Sequence, residues 1–110
     1  MDTPLPRLIS RVRVDALIRS VARAGGFATV LARGDDEAGA IAVVTREGGE
    51  ERLLAPVLGM DGRYHFTELA SGDAVPAWIT RARQRDPDLW VIELDIPQAG
   101  QFVAEILNGG

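Results

Sequence analysis

The hydrophobic positions of this chain switch between a helical and an extended spacing. Val14, Leu17, Ile18 and Val21 stand at i, i+3, i+4 and i+7, which places them on one face of a helix. Gly25-Gly26 supplies a left-handed stop at its end. Its start has two readings: Ser10 caps a helix that begins at Arg11, or residues 8–12 are extended and the helix begins near Val14. After the glycines come short apolar runs broken by turn residues, the pattern of a strand meander. Residues 27–33 and 40–46 are nearly continuous apolar runs, expected of central strands covered on both faces, with residues 34–39 as the hairpin loop between them. Residues 47–50, Glu-Gly-Gly-Glu, form a second turn, leading into a third strand over 52–58. Pro56 has no amide donor, so that strand is expected at a sheet edge or near its own end there. A turn at residues 59–62 leads to a fourth strand over 63–69, in which Tyr64 and Phe66 alternate with His65 and Thr67.

The helical period then returns at Val75, Trp78, Ile79 and Ala82, with Asp73 as its expected cap and Pro76 in the first turn. Arg81, Arg83 and Arg85 lie outside this stripe, and Asp86-Pro87 stops the helix, because the residue before proline is pushed out of the helical region. Residues 89–96 form the strongest strand, with Trp90, Ile92, Leu94 and Ile96 on one face and Glu93 and Asp95 on the other. In the final segment Phe102, Val103, Ile106 and Leu107 suit a short helix slightly better than a strand. The fold expected over residues 1–110 is one α+β domain. It has a mostly antiparallel five-stranded sheet and two packed helices, in the order helix, four strands, helix, strand. The crossover through the second helix is long enough to set the last strand parallel to a neighbour and make the sheet mixed.

Three stretches carry a family resemblance. They are Ala24-Gly25-Gly26-Phe27, the run from Arg33-Gly34-Asp35 through Ala38-Gly39-Ala40, and Arg85-Asp86-Pro87-Asp88-Leu89-Trp90-Val91-Ile92-Glu93. Together they resemble the bacterial family named domain of unknown function 1491, and the likeness covers most of the chain. That family consists of small stand-alone proteins with no established activity, substrate or catalytic residue. The resemblance therefore implies a fold and no chemistry.

Composition narrows the function classes. The chain has no cysteine, which removes disulfides, thiolate metal sites and cysteine nucleophiles. No apolar run approaches the roughly 20 residues a membrane-spanning helix needs, and residues 1–7 lack the basic and apolar regions of a secretory signal. A cytoplasmic location is the expectation. The formal net charge of −4 argues against a generic affinity for nucleic acid or anionic membrane. All 12 basic residues are arginine; six of them (Arg7, Arg11, Arg13, Arg19, Arg23, Arg33) fall within residues 1–33, against only Asp2 and Asp15 there.

No catalytic pattern emerges. His65 is the sole histidine, too few for a typical zinc site or a nucleophile–base pair, and a strand position is its ordinary reading. Ser10, Ser20 and Ser71 sit in no nucleophile elbow, and no phosphate-binding loop occurs. Asp35, Asp36 and Glu37 offer three hard oxygen ligands, but they lack the twelve-residue calcium-loop pattern and read as a solvated turn, so no metal or other cofactor is expected. Arg11, Asp15, Arg19 and Arg23 recur every four residues and make a ladder beside the first apolar stripe, with Asp15 placed to pair with Arg11 or Arg19. Its ordinary reading is a solvated face. Its functional reading is that Arg11, Arg19 and Arg23 dock an acidic protein, an RNA backbone or the acidic end of a second copy. Trp78 and Trp90 read as core, although tryptophan is also common at interface hot spots. The pattern leans away from an enzyme and toward a protein interaction module or homo-oligomer. The alternative is a small-molecule site or enzyme built from Asp, Glu, Arg, Tyr64 and His65. The third reading is a weak RNA or DNA binder through the helical arginines.

Overall fold

The fold was obtained as a computed structural model and is described here for residues 9–108. The segment 1–7, read above for a leader, and Arg7 with it, lie outside the described residues. The order is α1 (Ser10–Arg23), β1 (Phe27–Ala32), β2 (Ile41–Glu47), β3 (Glu50–Leu58), β4 (Tyr64–Ser71), α2 (Ala74–Arg85), β5 (Trp90–Asp95) and α3 (Ala99–Val103), which runs on into a π-helical turn at Ala104–Asn108. Three helices therefore accompany the sheet, not the two expected, because the 102–107 apolar pattern folds as a helix. The five strands form a mixed sheet in the order β1-β5-β2-β3-β4, with β5 parallel to β2 and every other pairing antiparallel.

Local chemistry explains several of these boundaries. At the end of α1, Gly25 adopts φ +87°. The Gly26 N–H donates to the Val21 carbonyl and the Gly25 N–H to the Ala22 carbonyl, the paired bonds of a Schellman stop. Gly48 and Gly49, at φ +60° and +82°, make the two-residue turn joining β2 to β3, the geometry that a right-handed strand twist prefers. Pro56 lies past the last β2–β3 pair, Val43 with Leu54, where β3 keeps only β4 as a neighbour. The cap at α1 differs from expectation. The helix begins at Ser10 after Ile9, and the Ser10 hydroxyl makes no cap; it donates to the carbonyl of Gly39 at 2.6 Å. Asp73 precedes α2, also without a side-chain cap bond.

Two cores lie on opposite faces of the sheet. Val14, Leu17 and Val21 of α1 and Ala99 and Val103 of α3 pack with Ile41, Val43, Trp90, Ile92 and Leu94 on one face. On the other, Val75 and Ala82 of α2, with Trp78 and Ile79 half-buried beside them, pack on Ala42, Val44, Leu53, Ala55, Leu89 and Val91. Both predicted helix stripes thus face the sheet, from opposite sides. Residues 27–33, however, are not a central strand: β1 is an edge, with Phe27 73% exposed. Nor do residues 34–39 close a hairpin, because β5 inserts between β1 and β2. The reason is that β5 is apolar on both faces for most of its length, as β2 is, so these two strands gain most from the centre.

Leu17 is fully buried between α1 and the sheet. Leu17→Ala should lower stability by about 2–5 kcal/mol, the cost of a core cavity, and Ile79→Ala, truncating a half-buried side chain, should cost less. Denaturant unfolding of the two variants measures the difference.

Candidate functional site

Two of the three stretches that carry the family resemblance, residues 33–40 and 85–93, meet at one corner, while Gly26 and Phe27 lie at the other end of β5 beside Ile96 and Asp95. The loop after β1 crosses the start of β5, where the Asp35 N–H donates to the Asp88 carbonyl at 3.0 Å and the Trp90 indole N–H donates to the Asp35 carbonyl at 2.7 Å. The Trp90 N–H donates to Ala40 at 2.8 Å, which leads the chain into β2. A Cβ added at Gly34 or Gly39 would run into the Asp88 carbonyl oxygen, so glycine at both places is a condition of this close approach. The same loop closes the start of α1: the N–H groups of Ser10 and Arg11 donate to the carbonyls of Glu37 and Asp36 at 3.1 and 2.8 Å. Tertiary carbonyls thus satisfy donors that a side-chain cap would otherwise take.

Arg83 completes the corner. One terminal nitrogen of its guanidinium reaches the carbonyls of Arg33, Pro87 and Leu89 at 3.1, 3.1 and 2.6 Å, tying the end of α2 to both segments. Spacing separated Arg83 from the apolar stripe but could not single it out from Arg81 and Arg85, because its partners are backbone oxygens remote in sequence. The Arg33 guanidinium lies 5.7 Å from the Trp90 ring centroid, within cation–π range. Trp90 is thus core, as expected, with its one polar atom satisfied.

The acidic loop is consumed by the same architecture. The Asp35 carboxylate accepts the N–H groups of Glu37 and Ala38 at 3.1 and 2.8 Å, and Asp36 pairs with Arg33 at 3.1 Å. No group of three metal-ligating side chains gathers among the described residues. His65 sits near the tip of the β3–β4 hairpin, its Nε2 2.8 Å from Asp61, and both are exposed. The Arg63 N–H donates to the same carboxylate at 3.0 Å. That backbone bond first, and the His65 contact second, hold the Asp61 carboxyl below its ordinary pKa. Tyr64 is exposed beside His65, and neither faces an enclosed cavity.

The arginine ladder lies on the outward side of α1, with Arg11, Asp15, Arg19 and Arg23 all exposed. The expected pairing with Asp15 does not form: Arg19 Nε reaches the Asp15 carbonyl at 3.4 Å, and no ion pair to Arg11, Arg19 or Arg23 is made among the described residues. Instead Arg13, one residue off the ladder, donates to the Leu107 carbonyl at 2.9 Å and links α1 to the last turn. A second ionic cluster sits on the sheet face, where Arg46 meets Glu51 at 2.5 Å and Glu93 at 4.0 Å. The Glu51 hydrogen bond, then the charge of Glu93, raises the Arg46 pKa.

One surface could not be read from spacing. Pairing of β3 with β4 continues to Leu58 with Tyr64, well past the last β2–β3 pair, so the hairpin leaves the sheet as an arm. Leu58 and Tyr64 are 58% and 60% exposed, and Met60 at the turn is fully exposed. Among the described residues one open depression of ≈ 510 Å³ is lined by Gly48, Glu50, Glu51, Gly72, Asp73 and Pro76 among others, and another of ≈ 450 Å³ lies beside the start of α3, lined by Thr45, Glu47, Arg52, Glu68 and Gln101 among others. The latter has no enclosing wall.

These features define a small three-layer α+β protein, helices on both faces of a mixed sheet, with a loop corner held by hydrogen bonds to backbone carbonyls. The chain belongs to the family described as "Protein of unknown function (DUF1491)", whose model matches residues 8–104. A crystal structure of a DUF1491 family protein from Caulobacter crescentus CB15 superposes with a TM-score of 0.77 at 34% identity, covering 87% of this chain and 94% of that one. The NMR structure of a DUF1491 family protein from Caulobacter crescentus CB15 gives 0.74 at 32% identity, with 86% and 91% covered. The solution structure of protein Atu0922 from A. tumefaciens gives 0.73 at 38% identity, with 88% and 92% covered. No curated protein matches the chain.

The corner makes two outcomes measurable. Gly34→Ala should destabilise by at least about 1–3 kcal/mol through overpacking against Asp88, read by thermal or denaturant unfolding. By NMR titration the Asp61 carboxyl should ionise below a free aspartate. Its folded pKa is depressed, so the support it lends the turn is present above the unfolded pKa and is lost as pH falls through the folded one.

Proposed function

We propose that this protein is a cytoplasmic, non-enzymatic protein–protein interaction module. The observation that carries this reading is the apolar end of the β3–β4 arm. Leu58, Met60 and Tyr64 project into solvent on a two-stranded hairpin, which is marginal by itself in water and finds cover only in a partner. The outward arginines Arg11, Arg19 and Arg23 provide a second docking surface, suited to an acidic protein. They make no ion pair among the described residues, Asp15 included. The acidic net charge of the chain works against the same surface holding RNA or DNA.

The small-molecule reading is favoured by one observation. Thr45 is only 5% exposed, and it lines the open depression beside Arg52 and Glu68. The depression is too open to bury most of a ligand, as small-molecule sites do, and this reading ranks second.

Affinity capture from the native cell with mass spectrometry separates these outcomes. The triple variant Leu58→Ser, Met60→Ser, Tyr64→Ser should keep its fold and lose specific partners. Replacing Arg11, Arg19 and Arg23 with Gln should change stability by no more than about 0.5 kcal/mol, while capture of an acidic partner falls and becomes less sensitive to salt. Unchanged capture by both variants overturns the proposal.

A further inference from the structure

The two edges of the sheet are built differently. The β4 edge carries His65 and Glu68, begins after Arg63, and holds Glu68 to Arg52 at 3.5 Å. Charges of this kind keep a sheet edge from joining another strand, because a foreign strand would have to pack beside them. The β1 edge has no such guard. Its six residues, Phe-Ala-Thr-Val-Leu-Ala, include no charge and no proline, and Phe27, Val30 and Leu31 are 73%, 41% and 48% exposed.

Along β1 the antiparallel ladder to β5 runs unbroken from Phe27 with Asp95 to Val30 with Ile92. In such a ladder one residue turns both its N–H and C=O toward the partner strand and the next turns both away. The outward groups of β1 meet no other backbone among the described residues. A strand that joined them would have to be uncharged, free of proline and available at a surface. Within this molecule the strand that meets all three conditions is β1 itself.

We propose that β1 is a self-pairing edge, through which two copies of this chain join antiparallel about a two-fold axis. The two five-stranded sheets become one of ten strands. Antiparallel pairing of identical strands is self-complementary, so each copy supplies the donors its partner lacks. Phe27 and Val30 from both copies lose water together at the seam. The bulge at Leu31, which the ladder skips between Val30 and Ala32, ends the flat run and limits pairing to the first part of the strand. The partner here is a second copy, which deepens and rests on the interaction reading above while using a different surface from the arm.

The test uses the full chain. Light scattering across a dilution series should give twice the chain mass at high concentration, and the outward amides of β1 should exchange more slowly there than in dilute solution. Because neighbouring residues alternate, one of Thr29→Pro and Val30→Pro removes an N–H that points outward and leaves the β1–β5 ladder whole. That variant is recognised by a melting temperature equal to the wild type's in dilute solution, where both chains are monomeric, and its dimer dissociation constant should rise at least tenfold. A wild-type chain that stays monomeric throughout overturns the proposal. A dimer whose β1 amides exchange at the same rate at every concentration, or that survives in the ladder-preserving variant, also overturns it, and moves self-association to another surface with the interaction reading intact. If neither variant folds, the concentration dependence of β1 exchange decides by the same criterion.

Discussion

The structure turns on the burial of β5. This strand lies between β1 and β2 and is covered on both faces, by Trp90, Ile92 and Leu94 toward α1 and by Leu89 and Val91 toward α2. Fully burying each such side chain is worth about 1.5–3 kcal/mol, and the strand contributes to both cores at once. The helices are therefore not independent attachments. α1 and α3 exist in place because the Trp90 side of β5 needs cover, and α2 because the Leu89 side does.

A late strand can take the centre of the sheet only if the earlier chain leaves a gap for it. The loop of residues 33–40 holds that gap open. It spans from β1 to β2 over the first residues of β5, and its backbone, rather than its acidic side chains, makes the joins to Asp88 and Trp90. Gly34 and Gly39 permit the approach, Arg83 closes it from α2, and the carbonyls of Asp36 and Glu37 end α1 in place of a cap. β1, β2, β5, α1 and α2 are all tied to this one loop. The functional proposals rest on other surfaces: the β3–β4 arm, the outward side of α1 and the β1 edge.

Charge is distributed on the same division of labour. The ion pairs on the sheet faces, Arg46 with Glu51 and Arg52 with Glu68, join neighbouring strands, as does no pair on the outward side of α1 among the described residues. Surface pairs contribute little to stability, about 0–1 kcal/mol each, so their placement bears more on strand register and on guarding the β4 edge than on the fold as a whole.

By itself the sequence determined whatever depends on neighbours a few residues away. The apolar stripe of α1 from Val14 to Val21, the Gly25 stop, the Gly48-Gly49 turn, the break at Asp86-Pro87 and the α+β class follow from local spacing and backbone stereochemistry. The family likeness was legible in the glycine and Asp-Pro-Asp-Leu-Trp segments. Only the tertiary structure decided which strand lies beside which. The runs over 27–33 and 40–46 look alike as apolar segments, yet the first is an edge and the second is central, because both depend on where β5, fifty residues later, finds cover. It likewise decided that Ser10 bonds Gly39 instead of capping its helix, that Asp35 accepts two loop amides while Asp36 pairs with Arg33, and that Leu58 and Tyr64 stand clear of the sheet. A side chain's spacing sets the face on which it lies, but its burial and its partners are set by the residues that long-range pairing brings against that face.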